Sequence, residues 1–143
     1  MADSSVNRWE HLPHGADIGV RGYGDSKATA FAQAALAMTA ILADPATVTP
    51  RVEVAITCEA PDDELLLVDW LNALLYEMAT RRLLFRDFQV QIADHQLHAR
   101  AQGEAVNPQK HPLGVEVKGA TYTELHVCQQ PDGTWLAQCV VDV

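Results

Sequence analysis

"HGADIGVRGYG", residues 14–24, alternates between apolar and polar or small residues as a β-strand does. In an extended chain Ile18 and Val20 share one face, while Asp17 and Arg21 share the other. A carboxylate within a strand is unfavourable to bury unless it is paired or hydrogen-bonded. The stretch therefore predicts the first strand of the domain and raises the question of what Asp17 contacts.

A helix is expected directly after this strand. Asp25 or Ser26 suits its N-cap, and Asp44 followed by Pro45 suits its end. Between these points apolar side chains recur at the spacing of one helix face: Phe31, Ala34, Ala35, Met38, Ile41 and Leu42.

A second helix is expected after APDDE, residues 60–64. Proline and acidic residues are favoured in the first turn of a helix, where the dipole attracts negative charge. The following apolar stripe consists of Leu67, Trp70, Leu71, Leu74, Leu75 and Met78, widened by Leu65, Leu66 and Val68. A stripe this wide indicates a helix buried on much of its circumference.

The remaining segments alternate with a period of two and predict strands at residues 52–58, 88–93, 96–101, 114–119, 123–129 and 135–143. The order of strands and helices predicts a single-domain α+β fold, in which two helices pack on one face of a largely antiparallel or mixed β-sheet. We expect residues 1–8 to form a disordered tail and residues 9–143 to form the domain.

The charge balance restricts the possible partners. The chain of 143 residues has 19 acidic and 10 basic side chains, a formal net charge of −9. This disfavours a protein that binds nucleic acid through its phosphates, which requires a basic face. It is compatible with a small-molecule site, a cation site or a basic protein partner.

The three cysteines are expected to be free thiols, since they are odd in number and form no CxxC pair. The N-terminal residues lack the apolar stretch of a secretory signal, and no apolar run reaches the roughly 20 residues that span a bilayer. We therefore expect a cytoplasmic protein without membrane contact.

Other catalytic and metal-binding patterns find little support. His11, His14 and Asp17 are three residues apart, but Pro13 and Gly15 disfavour the helix that would align them as zinc ligands. The glycines at positions 19, 22 and 24 lack the GxGxxG spacing and predict a tight turn before the helix. The expected surface features are His95, His98 and a loop formed by residues 110–112, KHP.

Two carboxylates, Asp17 and Asp142, lie in strand-like segments at opposite ends of the chain. If the first and last strands are neighbours, the two form a like-charge pair that a hard divalent cation would stabilise, with backbone oxygens and water. Alternatively, each aspartate faces solvent. Spacing alone favours solvent exposure and does not decide between the two.

The sequence also resembles the archease family. The matching segments run in one order over residues 9–143: HGADIGVRGYG (14–24), LLLVDWLNALLYE (65–77), LFRDFQV (84–90), GEAVNPQKHPLGVEVKGATYTELHV (103–127) and WLAQCVVDV (135–143). The resemblance implies an accessory protein and not an enzyme acting alone. Its implied partner is the RtcB-type RNA ligase of tRNA splicing and RNA repair, whose guanylylation and multiple turnover archeases promote.

The resemblance further implies a divalent cation, described in the family as calcium. Its implied ligands are the carboxylates of Asp17 and Asp142 and a backbone oxygen of Val143. Lys118, in the EVK segment, matches a family residue linked to activation of the ligase. Gly15 departs from the family pattern, which usually has threonine there, and we expect looser cation binding as a result.

Two alternatives remain open. A chaperone-like module with other protein clients would not depend on Asp17 or Asp142. A small metal-dependent phosphoester hydrolase would use the same carboxylates with His11 or His14, and it would act without any ligase.

Overall fold

The computed structural model describes residues 6–143. Within this range the elements are β1 (Arg8–His14), β2 (Asp17–Gly24), α1 (Lys27–Leu42), a 3-10 turn (Pro45–Thr47), β3 (Val52–Glu59), α2 (Asp63–Arg81), β4 (Leu83–Ala93), β5 (Gln96–Ala105), β6 (Gly119–Ala120), β7 (His126–Gln129) and β8 (Trp135–Asp142). Neither helix has both the length and the apolar character needed to cross a bilayer.

The strands form two antiparallel sheets. One has the order β1-β2-β8-β6, with β7 also paired to β8, and the other has the order β3-β5-β4. Each helix contacts strands of both sheets, and apolar side chains from both helices and from strands of both sheets form one main core. The expected α+β fold with two packed helices is confirmed, with the strands divided between two sheets.

Both helices begin where the sequence predicts. The Ser26 side chain accepts a hydrogen bond from the Thr29 N–H at 3.1 Å, which caps α1. Asp62 Oδ1 accepts from the Leu65 N–H at 2.8 Å and caps α2. The two helices are joined in the core, because the Trp70 Nε1–H donates to the Phe31 carbonyl at 3.0 Å.

The glycines of the opening stretch have a different role from the one expected. Gly22 and Gly24 belong to β2, with no turn between them, and they lie beneath α1. A Cβ at Gly22 would overlap the Ala30 carbonyl oxygen and the Ala34 nitrogen. The glycines therefore let α1 approach the backbone of β2. The chain does bend at residues 25–26 between Gly24 and the helix, as expected, but Gly19 and Gly22 lie within the strand and not in that turn.

The strand expected at residues 114–119 is largely absent, since only Gly119 belongs to a strand. Gly114 N–H donates to the Leu42 carbonyl at 2.7 Å, and Val115 N–H donates to the Ile41 carbonyl at 3.1 Å. These carbonyls lie at the C-terminus of α1, where the last carbonyl groups of a helix have no hydrogen-bond donor within the helix. The first part of the segment thus bonds to a helix end, and only its last residues reach β8.

Other boundaries also differ from the expected ones. The strands expected at 88–93 and 96–101 are longer, whereas residues 123–125 of the strand expected at 123–129 are not strand. Residues 1–5 of the expected tail lie outside the described residues, and Arg8 begins β1. β1 was not predicted; it is an edge strand whose side chains are mostly exposed.

Candidate functional site

Asp17 is the first residue of β2, directly after the turn that joins β1 to β2. Gly15 has a φ of 58° in this turn, a left-handed conformation that favours glycine. The carboxylate is half-buried, and its Oδ1 accepts a hydrogen bond from the Val143 N–H at 3.3 Å. The opening strand and the last residue of the sequence therefore meet at this carboxylate.

Asp142 ends β8, which lies beside β2 in the sheet. The register pairs Ile18 with Val141, so the next step along the two strands sets Asp17 opposite Asp142. Residues that face each other across an antiparallel pair have their side chains on the same face. The condition that the first and last predicted strands are neighbours is therefore met by β2 and β8.

Lys118 lies on the other side of the β8 end. Its N–H donates to the Asp142 carbonyl at 2.8 Å. The following residue, Gly119, begins β6 and pairs with Asp142 of β8. The Lys118 side chain is exposed, whereas that of Val117 is buried. The main chain of Lys118 thus lies beside that of Asp142, and the ends of β2 and β8 meet the start of β6 at this point.

The oxygen groups at this point fit a hard divalent cation. Two carboxylates and the backbone oxygen of Val143 are donors of the kind calcium prefers. Residues 6–143 contain no group of three or more His, Cys, Asp or Glu side chains that could hold a metal ion. A cation at Asp17 and Asp142 would therefore depend on main-chain oxygens and water for its remaining ligands.

The N-terminal histidines do not complete a zinc site. The ring Nε2 of His11 is hydrogen-bonded to the Ala37 carbonyl at 2.6 Å, and the ring packs at 5.0 Å from that of Trp9. His14 is exposed and pairs with Asp17 across the β1–β2 turn. His11 therefore binds to α1, and only His14 lies next to the aspartate.

Sequence reasoning missed a buried charge cluster around Glu104, which lies in β5. The carboxylate accepts from Lys110 Nζ at 2.6 Å, from the Thr49 N–H at 2.7 Å and from His111 Nε2 at 2.9 Å. These hydrogen bonds, led by that from Lys110, lower the pKa of Glu104 to about 2. The KHP segment was expected to be a loop over the fold, yet His111 is fully buried.

The cluster fixes the tautomer of His111. Its Nδ1 accepts from the Asn107 N–H at 2.9 Å, so this nitrogen carries no proton and Nε2 is the donor to Glu104. The available signal was the sequence GEAVNPQKHP, in which one acid precedes a lysine and a histidine within eight positions. The alternation of apolar and polar residues stops at Pro108. The spacing therefore did not reveal that the loop folds back and brings Lys110 and His111 onto Glu104.

The thiols do not resemble nucleophiles. Burial raises the pKa of Cys58 to about 11, with a further increase from the Asp69 charge. Burial also raises the pKa of Cys139 to about 12. Both thiols are therefore protonated at neutral pH.

Comparisons with known proteins agree over nearly the whole chain. Residues 9–143 match the Archease protein family (MTH1598/TM1083). Protein archease of Pyrococcus furiosus is 39% identical over 142 residues, covering 96% of this chain and 100% of the relative. Protein archease of Methanosarcina mazei is 37% identical over 145 residues, covering 98% of this chain and 99% of the relative.

The fold also matches a solved structure. The solution structure of Methanobacterium thermoautotrophicum protein 1598 is similar with a TM-score of 0.81 and 32% sequence identity, covering 94% of this chain and 98% of that one.

Proposed function

The chain belongs to the archease family, and from that premise we propose that it is an accessory protein of an RtcB-type RNA ligase and not an enzyme by itself. It promotes guanylylation of the ligase and allows multiple turnover in tRNA splicing or RNA repair. The observation that carries the proposal is the convergence of Asp17, Asp142 and Lys118 at the ends of β2, β8 and β6.

In this proposal the aspartates and Val143 bind a divalent cation, with calcium as the ion that the family implies. Asp17 and Asp142 supply two negative charges, which would repel each other without a cation. The Val143 N–H fixes the orientation of the Asp17 carboxylate through its hydrogen bond at 3.3 Å. When bound, the cation would supply a concentrated positive charge at the ends of β2 and β8.

Lys118 acts on the ligase in this account. Its ammonium is a mobile point charge on a flexible stem, so it can approach a phosphate of the nucleotide or a carboxylate of the ligase. Its own N–H is held by the Asp142 carbonyl, which fixes the base of the side chain while leaving the ammonium exposed. In this proposal the cation site orders the ends of the strands, and Lys118 contacts the ligase.

The test is transfer of label from radioactive GTP to an RtcB-type ligase present in excess over this protein. We expect catalytic stimulation by the wild type and its loss in Asp17→Asn, Asp142→Asn and Lys118→Met, since each removes one charge with little change in size. Matched controls are Asp94→Asn in the β4–β5 turn and Arg100→Met on the exposed face of β5. Both controls should stimulate like the wild type.

The same assay separates the alternatives. Stimulation that survives all three substitutions would support a chaperone-like module without the cation site. Phosphoester turnover by this protein in the absence of any ligase would support a hydrolase. Either result would overturn the proposed function.

A further inference from the structure

Asn72 is an exposed residue in the middle of α2 that contacts the strand next to Lys118. Its Oδ1 accepts a hydrogen bond from the Ala120 N–H at 2.9 Å. The contacting atom must be the amide oxygen, because a backbone N–H can only donate. Asparagine has a low helix propensity, so the helix gains nothing locally from this residue.

The hydrogen bond lies on the outer edge of β6. On the inner edge, Lys118 N–H donates to the Asp142 carbonyl at 2.8 Å, and Thr121 N–H donates to the Val140 carbonyl at 3.0 Å. β6 consists of only two residues, so its ladder to β8 provides few hydrogen bonds of its own. The side chain of Asn72 therefore holds a very short strand against β8 from the opposite side.

We propose that Asn72 is a positioning residue for the candidate site: by holding β6 on β8 it fixes Lys118 and the end of β8 that carries Asp142. This inference rests on the proposed function for its purpose. The physical coupling is short, since Ala120 is two residues from Lys118, whose N–H is bonded to Asp142. Asn72 itself touches neither a cation nor the ligase in this account.

The experiment compares Asn72→Leu, which removes the acceptor at similar size, with Asn72→Asp, which keeps it. Asp69→Leu is the matched control, because Asp69 is exposed one helical turn before Asn72. Amide hydrogen exchange at Lys118 and Ala120, calcium affinity and thermal unfolding are measured on the protein alone. The maximum stimulation of guanylylation and the half-saturating protein concentration are then measured with the ligase.

We expect Asn72→Leu to accelerate exchange at both amides by about fivefold, as the loss of one hydrogen bond predicts, and to weaken calcium binding. The maximum stimulation should fall because Lys118 is misplaced. The half-saturating concentration should stay unchanged because the substitution does not affect binding to the ligase. Asn72→Asp should behave like the wild type, as should Asp69→Leu, and exchange within α1 should be equal in all variants.

Unchanged exchange at Lys118 in Asn72→Leu would overturn the inference, as would an equal effect of Asp69→Leu. Failure of Asn72→Asp to retain slow exchange and calcium affinity would also contradict it, since the acceptor is kept. Failure of the wild type to stimulate any ligase would overturn the proposed function alone. The exchange and calcium measurements on this protein would still decide the role of Asn72.

Discussion

At the scale of single residues, Glu104 links three parts of the chain. Its carboxylate binds the main chain at Thr49, the guanidinium of Arg51 at 3.2 Å and the Lys110–His111 segment. A buried acceptor with this many donors is stabilised only while it is ionised, because a protonated carboxyl would lose several of them. The cluster therefore anchors the loop from which the Lys118 segment continues.

The pKa of Glu104 gives this anchor a defined pH dependence. The pKa is lowered from 4.5 to about 2 in the folded protein, so the contribution is complete above about pH 4.5 and is lost as the pH falls toward 2. We expect Glu104→Gln to lower the free energy of unfolding at pH 7 and to reduce its decline between pH 5 and pH 2.

Denaturant unfolding across this pH range measures the effect. Glu53→Gln is the control, since Glu53 is exposed in the neighbouring strand β3. An unfolding free energy for Glu104→Gln that runs parallel to that of the wild type down to pH 2 would contradict the prediction.

Gly15 stands where the family resemblance implies threonine, and its backbone has a left-handed conformation. Its φ of 58° is unfavourable for a branched side chain, although a Cβ there would meet no atom within 4 Å. We expect Gly15→Thr to lower the free energy of unfolding by about 1–2 kcal/mol. We also expect it to strengthen calcium binding, because the hydroxyl would donate a hydrogen bond to the Asp17 carboxylate.

Denaturant unfolding and calcium titration measure the two effects separately. Gly15→Asn is the control, because asparagine tolerates this conformation better. A Gly15→Thr variant as stable as the wild type would show that the turn does not require glycine, and an unchanged calcium affinity would contradict the expected effect of the missing hydroxyl.

At the scale of elements, α1 packs closely on β2. The absence of side chains at Gly22 and Gly24 lets the helix backbone approach the strand. We expect Gly22→Ala to lower the free energy of unfolding by about 3 kcal/mol, because the added methyl overlaps main-chain atoms of α1 that cannot move independently.

Gly19→Ala is the matched control on the same strand. There an added Cβ would meet the Leu12 Cβ at 3.1 Å, and Leu12 belongs to the edge strand β1, which can shift more easily. Thermal or denaturant unfolding of the two variants provides the comparison. Equal losses in both would contradict the role assigned to the helix contact.

The elements differ in how far the sequence predicts them. Both helices were predictable because their caps and apolar stripes are local signals, as at Ser26 and Asp62. β1 was not predictable because an exposed edge strand has little apolar alternation. Residues 114–118 were wrongly predicted as a strand because valines alternate with polar residues in their sequence. In the structure Val115 is exposed and Val117 is buried, so the two valines do not share one strand face.

At the scale of the whole molecule, the candidate site depends on long-range pairing. Asp17 and Val143 are 126 positions apart and are hydrogen-bonded. The sequence identified Asp17 and Asp142 as unusual residues for strands, but it could not show that β2 and β8 are neighbours. Asn72 and Glu104 were missed for a related reason, since their partners lie far along the chain or in irregular segments.

The net charge of −9 leads to a prediction about the whole surface. Binding of RNA through phosphates requires clustered lysine and arginine, and its affinity falls steeply with salt. We therefore expect the free protein to bind RNA only weakly at physiological salt, even though its proposed partner acts on RNA. Fluorescence anisotropy with labelled RNA that ends in a 3′-phosphate measures this directly.

The ligase alone is the positive control, and the ligase with this protein tests whether the complex gains affinity. Little change in RNA affinity on adding the protein is the expected result, because a protein with a net charge of −9 adds few phosphate contacts of its own. Tight, salt-sensitive binding of RNA by the free protein would contradict this account, since it would require a basic face that the charge balance of 19 acidic and 10 basic residues disfavours.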